Sequence, residues 1–343
     1  MGRYITRKLV QAVPTFLGIT LFTFILMLTA PGDPISIITF NPESNNAASA
    51  DRIRRQLGLD QPVWLQYVYW LVGNDWTQVD SDGDGSKDSL GTRRGFLRGD
   101  LGFSLAPGNR PVMDLILERI PATLLLTFSA LITGYGIGIT LGVLAAVYHR
   151  TWIDEVVRVI SVVGNAVPAF WLGLILIIIF GTQLRILPIS GMRTISSRSQ
   201  FDLVDIAKHM ILPVSVLSLN TIAFVSRFTR SELLEVLEQD FVRTARAKGL
   251  NDRLVWWKHA LRNALLPVAT FLGPGLGTLL AGAVVIERVF QWPGMGMLVV
   301  DAVFQRNYPL VMGSVVIAST MFIIGVLLSD ILYAVLDPRI RFD

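Results

Sequence analysis

Residues 240–267 read DFVRTARAKGLNDRLVWWKHALRNALLP, a basic segment set between two long apolar runs. Arg243, Arg246, Lys248, Arg253, Lys258 and Arg262 would each cost ~2.5–3.5 kcal/mol at the centre of a bilayer, so the segment does not itself cross one. Phe241, Val242, Ala245, Leu250, Leu254, Val255, Trp256, Trp257 and Leu261 still give it an apolar surface to bury. Gly249 stands where a first short helix stops, and Asn251 or Asp252 where a second begins. Helix, glycine turn and helix, held against a membrane, is the shape of a docking element. A basic helix resting on anionic lipid has the same composition.

The composition of the whole chain agrees with a membrane setting. Of 343 residues, 52% are hydrophobic and 16% charged, where a soluble domain carries ~25% charged residues. The net charge of +4 is modest, and the basic residues gather in particular loops. They speak to topology and docking, not to nucleic acid. Cysteine is absent, which excludes disulfides, thiol catalysis and cysteine metal sites. His149, His209 and His259 are the three histidines, and none is spaced with another for a metal.

Outward from the basic segment, six apolar runs predict an all-α integral membrane protein with six transmembrane helices. The first follows Arg3, Arg7 and Lys8 and ends at Thr29 before a proline–glycine stop; it is longer than the ~7–15-residue core of a cleaved signal. The others run over 121–147, 159–182, 207–228, from Leu266-Pro267 onward, and 310–336. Residues 1–29 are thus the N-terminus and first span. Residues 30–118 are a long external loop with small helices and an acidic insertion at 75–95. Residues 119–343 are a core of five spans, with a cytoplasmic loop, 229–263, between the fourth and fifth. Lysine and arginine in the short connections favour the segments that include both termini and 240–267, which places these in the cytoplasm. Glycines 134, 136, 138 and 142 mark close helix packing in the second span.

Two further sets of residues are candidates for chemistry. Asp80, Asp82, Asp84, Ser86 and Asp88, with Gly85 at the bend, follow the spacing of a calcium loop. The twelfth position of such a loop should be a bidentate Glu and is Gly91 here, so millimolar affinity is expected; a solvated acidic turn has the same sequence. Asn165, within the third run, is placed either on a substrate path or on a neighbouring backbone. Glu287 and Trp292, in ERVFQWPGMG at the end of the fifth run, are placed with Asn165 on the substrate path, at its outer end. The glycine-rich GPGLGTLLAG at 273–282 lacks a following Lys-Ser/Thr and a preceding strand, so it is no phosphate loop.

Several of these stretches together resemble a known family. Thr244, Ala245, Ala247 and Gly249, followed by Leu266-Pro267, are similar to the cytoplasmic "EAA" loop of ABC importer permeases. The forms RTARAKGL and HALRNALLPV, the opening RYITRKLVQAVPTFLG, APGDP at 30–34, FLRGDLGFSL at 96–105 and the E-x-V-F-x-W-P-G-x-G pattern resemble the dipeptide, oligopeptide and nickel permease branch. The 75–95 stretch is an insertion relative to that pattern. The resemblance implies that Thr244, Ala245, Arg246, Ala247, Lys248, Gly249 and Leu250 couple the chain to an ATPase. It implies a multi-pass protein of the plasma (inner) membrane that is no enzyme itself. Its partners would be two ATP-binding subunits, identical or a heterodimer, a second homologous permease chain, an extracellular solute-binding protein and membrane lipid. No cofactor is expected on this chain beyond possible Ca2+ in the external loop; ATP and magnesium belong to the partners. A secondary, ion-coupled transporter is the alternative, but it needs carboxylates within the spans. A membrane enzyme would need clustered acid, base or nucleophile residues at one membrane face.

Overall fold

A computed structural model describes residues 2–29, 55, 60–80, 89–91, 93–106, 108–194, 202–271 and 283–336. The elements in order are α1 (Gly2–Thr29), α2 (Val63–Val72), a hairpin of β1 (Gln78–Val79) and β2 (Ser89–Leu90), α3 (Val112–Val147), α4 (Trp152–Ala166) and α5 (Ala169–Leu176). There follow α6 (Leu203–Leu237), α7 (Asp240–Ala247), α8 (Asp252–Leu254), α9 (Leu261–Thr270), α10 (Val284–Val289), α11 (Met295–Phe304) and α12 (Tyr308–Leu336). Wider π turns continue α5 through Ile177–Gln183 and join α8 to α9 through Val255–Ala260. Among the described residues the regular structure is helical apart from one hairpin of two-residue strands, in line with the all-α expectation.

Among the described residues four helical stretches are long and apolar enough to cross a membrane: Thr6–Thr29, Val112–Val147, Leu203–Leu237 and Tyr308–Leu328. α4 and α5 pass together as a fifth, bent by 106°. The third apolar run, expected as one continuous span, is therefore two helices. Pro168 has no N–H to continue the ladder, and Val167 before it is extended (φ −83°, ψ 123°). Most of the fifth run, including 272–282, lies outside the described residues.

The chain forms two compact units. One comprises residues 1–8, 121–297 and 321–343. In it, the glycines of α3 bring α6 close. A Cβ on Gly138 would stand 2.9 Å from Cβ of Val225, and one on Gly142 would stand 2.8 Å from the Ser226 carbonyl oxygen. Gly164 of α4 faces Ala223 and Leu219, and Ser161 shares a 3.0 Å hydrogen bond with Ser226.

The other unit comprises residues 9–120 and 298–320. Its core is aromatic. Trp70 stacks on Phe96 (5.8 Å, 7°), Phe96 on Phe16, and Tyr67 on Trp70, while the Tyr67 hydroxyl meets Thr20 Oγ1 at 2.9 Å. Tyr67, Tyr69 and Trp70 of α2 thus turn inward, and Trp64 stays exposed. Below the hairpin, buried Asn74 exchanges backbone and side-chain hydrogen bonds with Arg93. Gly73 (φ +98°) and Gly95 (φ +80°) cross so closely there that a Cβ on either would strike the opposite backbone.

Candidate functional site

The basic segment folds as helix, glycine turn and helix. α7 opens with Asp240, whose charge suits the positive end of the helix dipole. Gly249 closes it at φ +76°, with its N–H bonded to the Arg246 carbonyl at 2.9 Å. Asn251 then caps α8 by accepting the Arg253 N–H at 2.9 Å. Val242, Ala245, Val255, Ala260, Leu261 and Ala264 are buried in one apolar cluster with Val143 and Ala146 of α3 and Leu233 and Val236 of α6. Burying side chains of this size is worth ~1.5–3 kcal/mol for each full Val or Leu, so the segment is fixed to the span ends and does not hang from them.

Of the seven residues expected to face an ATPase, the structure presents five. Thr244, Arg246, Ala247, Lys248 and Gly249 are exposed; Leu250 is half-buried. Ala245 faces inward at 8% exposure, so its small side chain serves the close seat of α7 on the core instead of the approach of a partner. Arg243 and Arg246 keep only loose ion pairs, at 3.5 Å to Asp240 and 3.4 Å to Asp252. A Cβ on Gly249 would meet open space, so it is the left-handed backbone, not crowding, that calls for glycine here.

Beside this surface lies an ionic clamp for which the sequence carries no local signal. Asp154, at the start of α4, is fully buried. It accepts Arg230 Nε at 2.6 Å and Nη2 at 2.8 Å, and also the Arg150 N–H at 3.1 Å. His149 Nδ1 lies 3.1 Å from the same carboxylate and 3.0 Å from Arg230 Nη2. The clamp ties the turn between α3 and α4 to α6, which leads directly into α7. The bidentate partners are 76 residues apart, which is why periodicity does not reveal them.

The stretch with Glu287 and Trp292 has the opposite character. Both side chains are fully buried. Glu287 Oε1 accepts Thr123 Oγ1–H at 3.0 Å and Oε2 accepts the Met297 N–H at 2.9 Å; Thr123 Oγ1 in turn accepts the Met295 N–H at 2.7 Å. Trp292 donates its indole N–H to the Ala122 carbonyl at 2.8 Å and packs with Ala122 and Leu126. A Cβ on Gly294 would run into the Glu287 carboxylate, and one on Gly296 would run into Val284 and then the same carboxylate. Asn165 is elsewhere, near the end of α4, exposed, with its amide donating to the Ser161 carbonyl at 3.0 Å. The structure therefore joins Glu287 to Trp292 and leaves Asn165 apart. Asp80 ends β1's side of the hairpin, while Asp82, Asp84, Ser86 and Asp88 lie outside the described residues.

The chain belongs to the binding-protein-dependent transport system inner membrane component family, whose pattern matches residues 138–342; the family's N-terminal component matches residues 1–127. It is 39% identical over 342 residues to the oligopeptide transport system permease protein AppB of Bacillus subtilis (strain 168), covering 100% of both chains. It is 38% identical over 364 residues to the dipeptide transport system permease protein DppB of Escherichia coli (strain K12), covering 99% of each. Identity to the glutathione transport system permease protein GsiC of Escherichia coli O6:H1 is 36% over 342 residues, covering 100% of each. Among solved structures, a chain of the MetNI methionine ABC transporter in inward facing conformations aligns with a TM-score of 0.52 at 18% identity, covering 66% of this chain and 97% of that one. That likeness is one of fold. The chain is thus a multi-pass membrane permease.

Proposed function

We propose that the chain is the transmembrane permease subunit of an ATP-binding-cassette importer for peptides or related small solutes. The full-length likeness to permeases named for oligopeptide and dipeptide transport supports the substrate class. The observation that carries the mechanism is the exposed face of α7 and its turn, Thr244, Arg246, Ala247, Lys248 and Gly249, on a helix whose other face is locked into the ends of α3 and α6. A partner that moves α7 must move those spans with it. ATP with magnesium is held by two separate ATP-binding subunits, and their closure drives α7. A second permease chain completes the pathway, and an extracellular binding protein delivers the solute. Six spans put both termini and α7 in the cytoplasm. Glu287 and Trp292 act from behind the path, by fixing the shape of the turn at its outer end, and Asn165 lies nearer the solute. The acidic stretch at 80–88 orders the external loop around one calcium ion.

Uptake of labelled dipeptides, oligopeptides and nickel, in a strain lacking the transport genes and complemented with the whole system, tests the substrate class. Peptide uptake is the expected result; uptake of nickel alone would overturn it. Single cysteines at Arg246 and Ser86, in a chain with none of its own, test the topology. An impermeant thiol reagent on intact cells should reach position 86 and not 246.

A further inference from the structure

A cavity inside the unit of residues 9–120 and 298–320 takes no part in the docking surface, the clamp or the buried turn. Its apolar wall comes from Phe24, Met27 and Leu28 of α1 and Met312 of α12. On α1 these residues close the membrane-spanning stretch Thr6–Thr29. Trp70 and Arg93 both line the cavity, and among the described residues neither side chain has an acceptor. The indole N–H of Trp70, on a side chain only 9% exposed, is shielded behind the wall. The Arg93 guanidinium forms neither a hydrogen bond nor an ion pair among the described residues. Burial pushes its pKa down, and Asp100 opposes this only at longer range. The Asp100 carboxylate is already taken by the Arg94 and Gly102 N–H groups, at 3.0 and 2.9 Å.

A partly buried cation with no partner beside an oily wall specifies an anion with an apolar body. We propose that the cavity binds an anionic phospholipid, its phosphate on the Arg93 guanidinium and the start of an acyl chain against Phe24, Met27 and Leu28. The source is lipid and not a soluble anion because the apolar wall belongs to a membrane-crossing helix. Leu21, Phe22, Ile25 and Leu26 of that helix are exposed, so lipid is the solvent along it.

The test uses the full-length protein purified from membranes in detergent. Native mass spectrometry follows retained lipid after addition of phosphatidylglycerol, phosphatidylcholine or inorganic phosphate. One phosphatidylglycerol should be retained in preference to phosphatidylcholine. Removing the charged contact with Arg93→Gln should weaken retention about tenfold or more, a loss on the scale of one charge-assisted contact. Trp70→Phe, which keeps an aromatic ring and removes an N–H shielded behind the wall, should leave it unchanged. Arg94→Gln, at the exposed neighbour, should leave it unchanged. Equal retention by Arg93→Gln and wild type would overturn the proposal, as would equal binding of phosphatidylcholine. Displacement of the lipid by inorganic phosphate at equal concentration would overturn its lipid source.

Discussion

The basic segment around α7 and the turn from Glu287 to Gly296 both mix polar and apolar residues, yet they place them in opposite ways. In the turn, the carboxylate, the indole N–H and the backbone donors close on one another inside the bundle, and both glycines exist to let them. In the basic segment only apolar atoms face inward, and the charges stand outside with loose partners. Buried polar groups that are fully satisfied fix a shape. Charges left outside on a rigidly seated helix remain available to a second protein. The two stretches are therefore built in opposite senses: one closes its polar groups inward, and the other presents its charges to the outside.

The comparison can be broken most directly at the clamp between the two kinds of region. Asp154→Ala leaves Arg230 facing a buried site, and we expect a loss toward the lower end of ~3–5 kcal/mol, since Arg230 is itself partly exposed. Thermal unfolding in detergent measures it; an unchanged midpoint would mean that the clamp is ornamental. Next in size is Gly294→Ala, which forces a methyl group onto Glu287 at a cost of ~1–3 kcal/mol. Full folded yield with wild-type stability would show that the turn is not tightly built. A pair of variants then sharpens the contrast. Ala247→Glu, on the exposed face, should change stability by less than ~0.5 kcal/mol, while abolishing substrate-stimulated ATP hydrolysis by the assembled transporter. Ala245→Glu, one turn-face away and buried, should fail at folding first. Normal stimulation in Ala247→Glu would remove the docking assignment. Gly249 is a poorer probe, because its left-handed backbone strains any replacement before a partner is considered.

The smallest effect concerns the root of the hairpin. Hydrogen bonds from the Arg98 guanidinium hold the pKa of Asp75 below the ordinary carboxylate value. A folded pKa below the unfolded one contributes stability above the unfolded pKa, and that contribution is lost as pH falls through the folded value. Asp75→Asn should therefore differ slightly from wild type at neutral pH and converge with it in strong acid, as read from unfolding midpoints across that range. A constant difference at all pH values would mean that the charge plays no part.

The helix–glycine turn–helix form of the basic segment was legible because its signals are local. Gly249 at a helix end, Asn251 three residues before Leu254 and an apolar stripe beneath a basic one each act within a turn or two. The long apolar runs were legible for the same reason. The clamp was not, since Asp154 and Arg230 meet only after α4 packs on α6. Nor was the direction of Ala245, because a small residue suits a close core contact and a close partner contact equally. The 106° bend was half-visible: Pro168 marks the place, but a proline is also tolerated within a straight span, and composition does not choose between them.

The crossing of Gly73 and Gly95, locked by Asn74 and Arg93, gives the root of the hairpin a fixed rim. Once the two ends of a connection are held at their native separation, lengthening it costs only ~0.6 kcal/mol per doubling. Sequence between the two strands can therefore grow, shrink or change its charge without resetting the register of the helices around it. Evolution and the protein engineer gain the same freedom from that rim: an affinity tag or fluorophore placed between Val79 and Ser89 would report on the transporter with its membrane machinery left as it was.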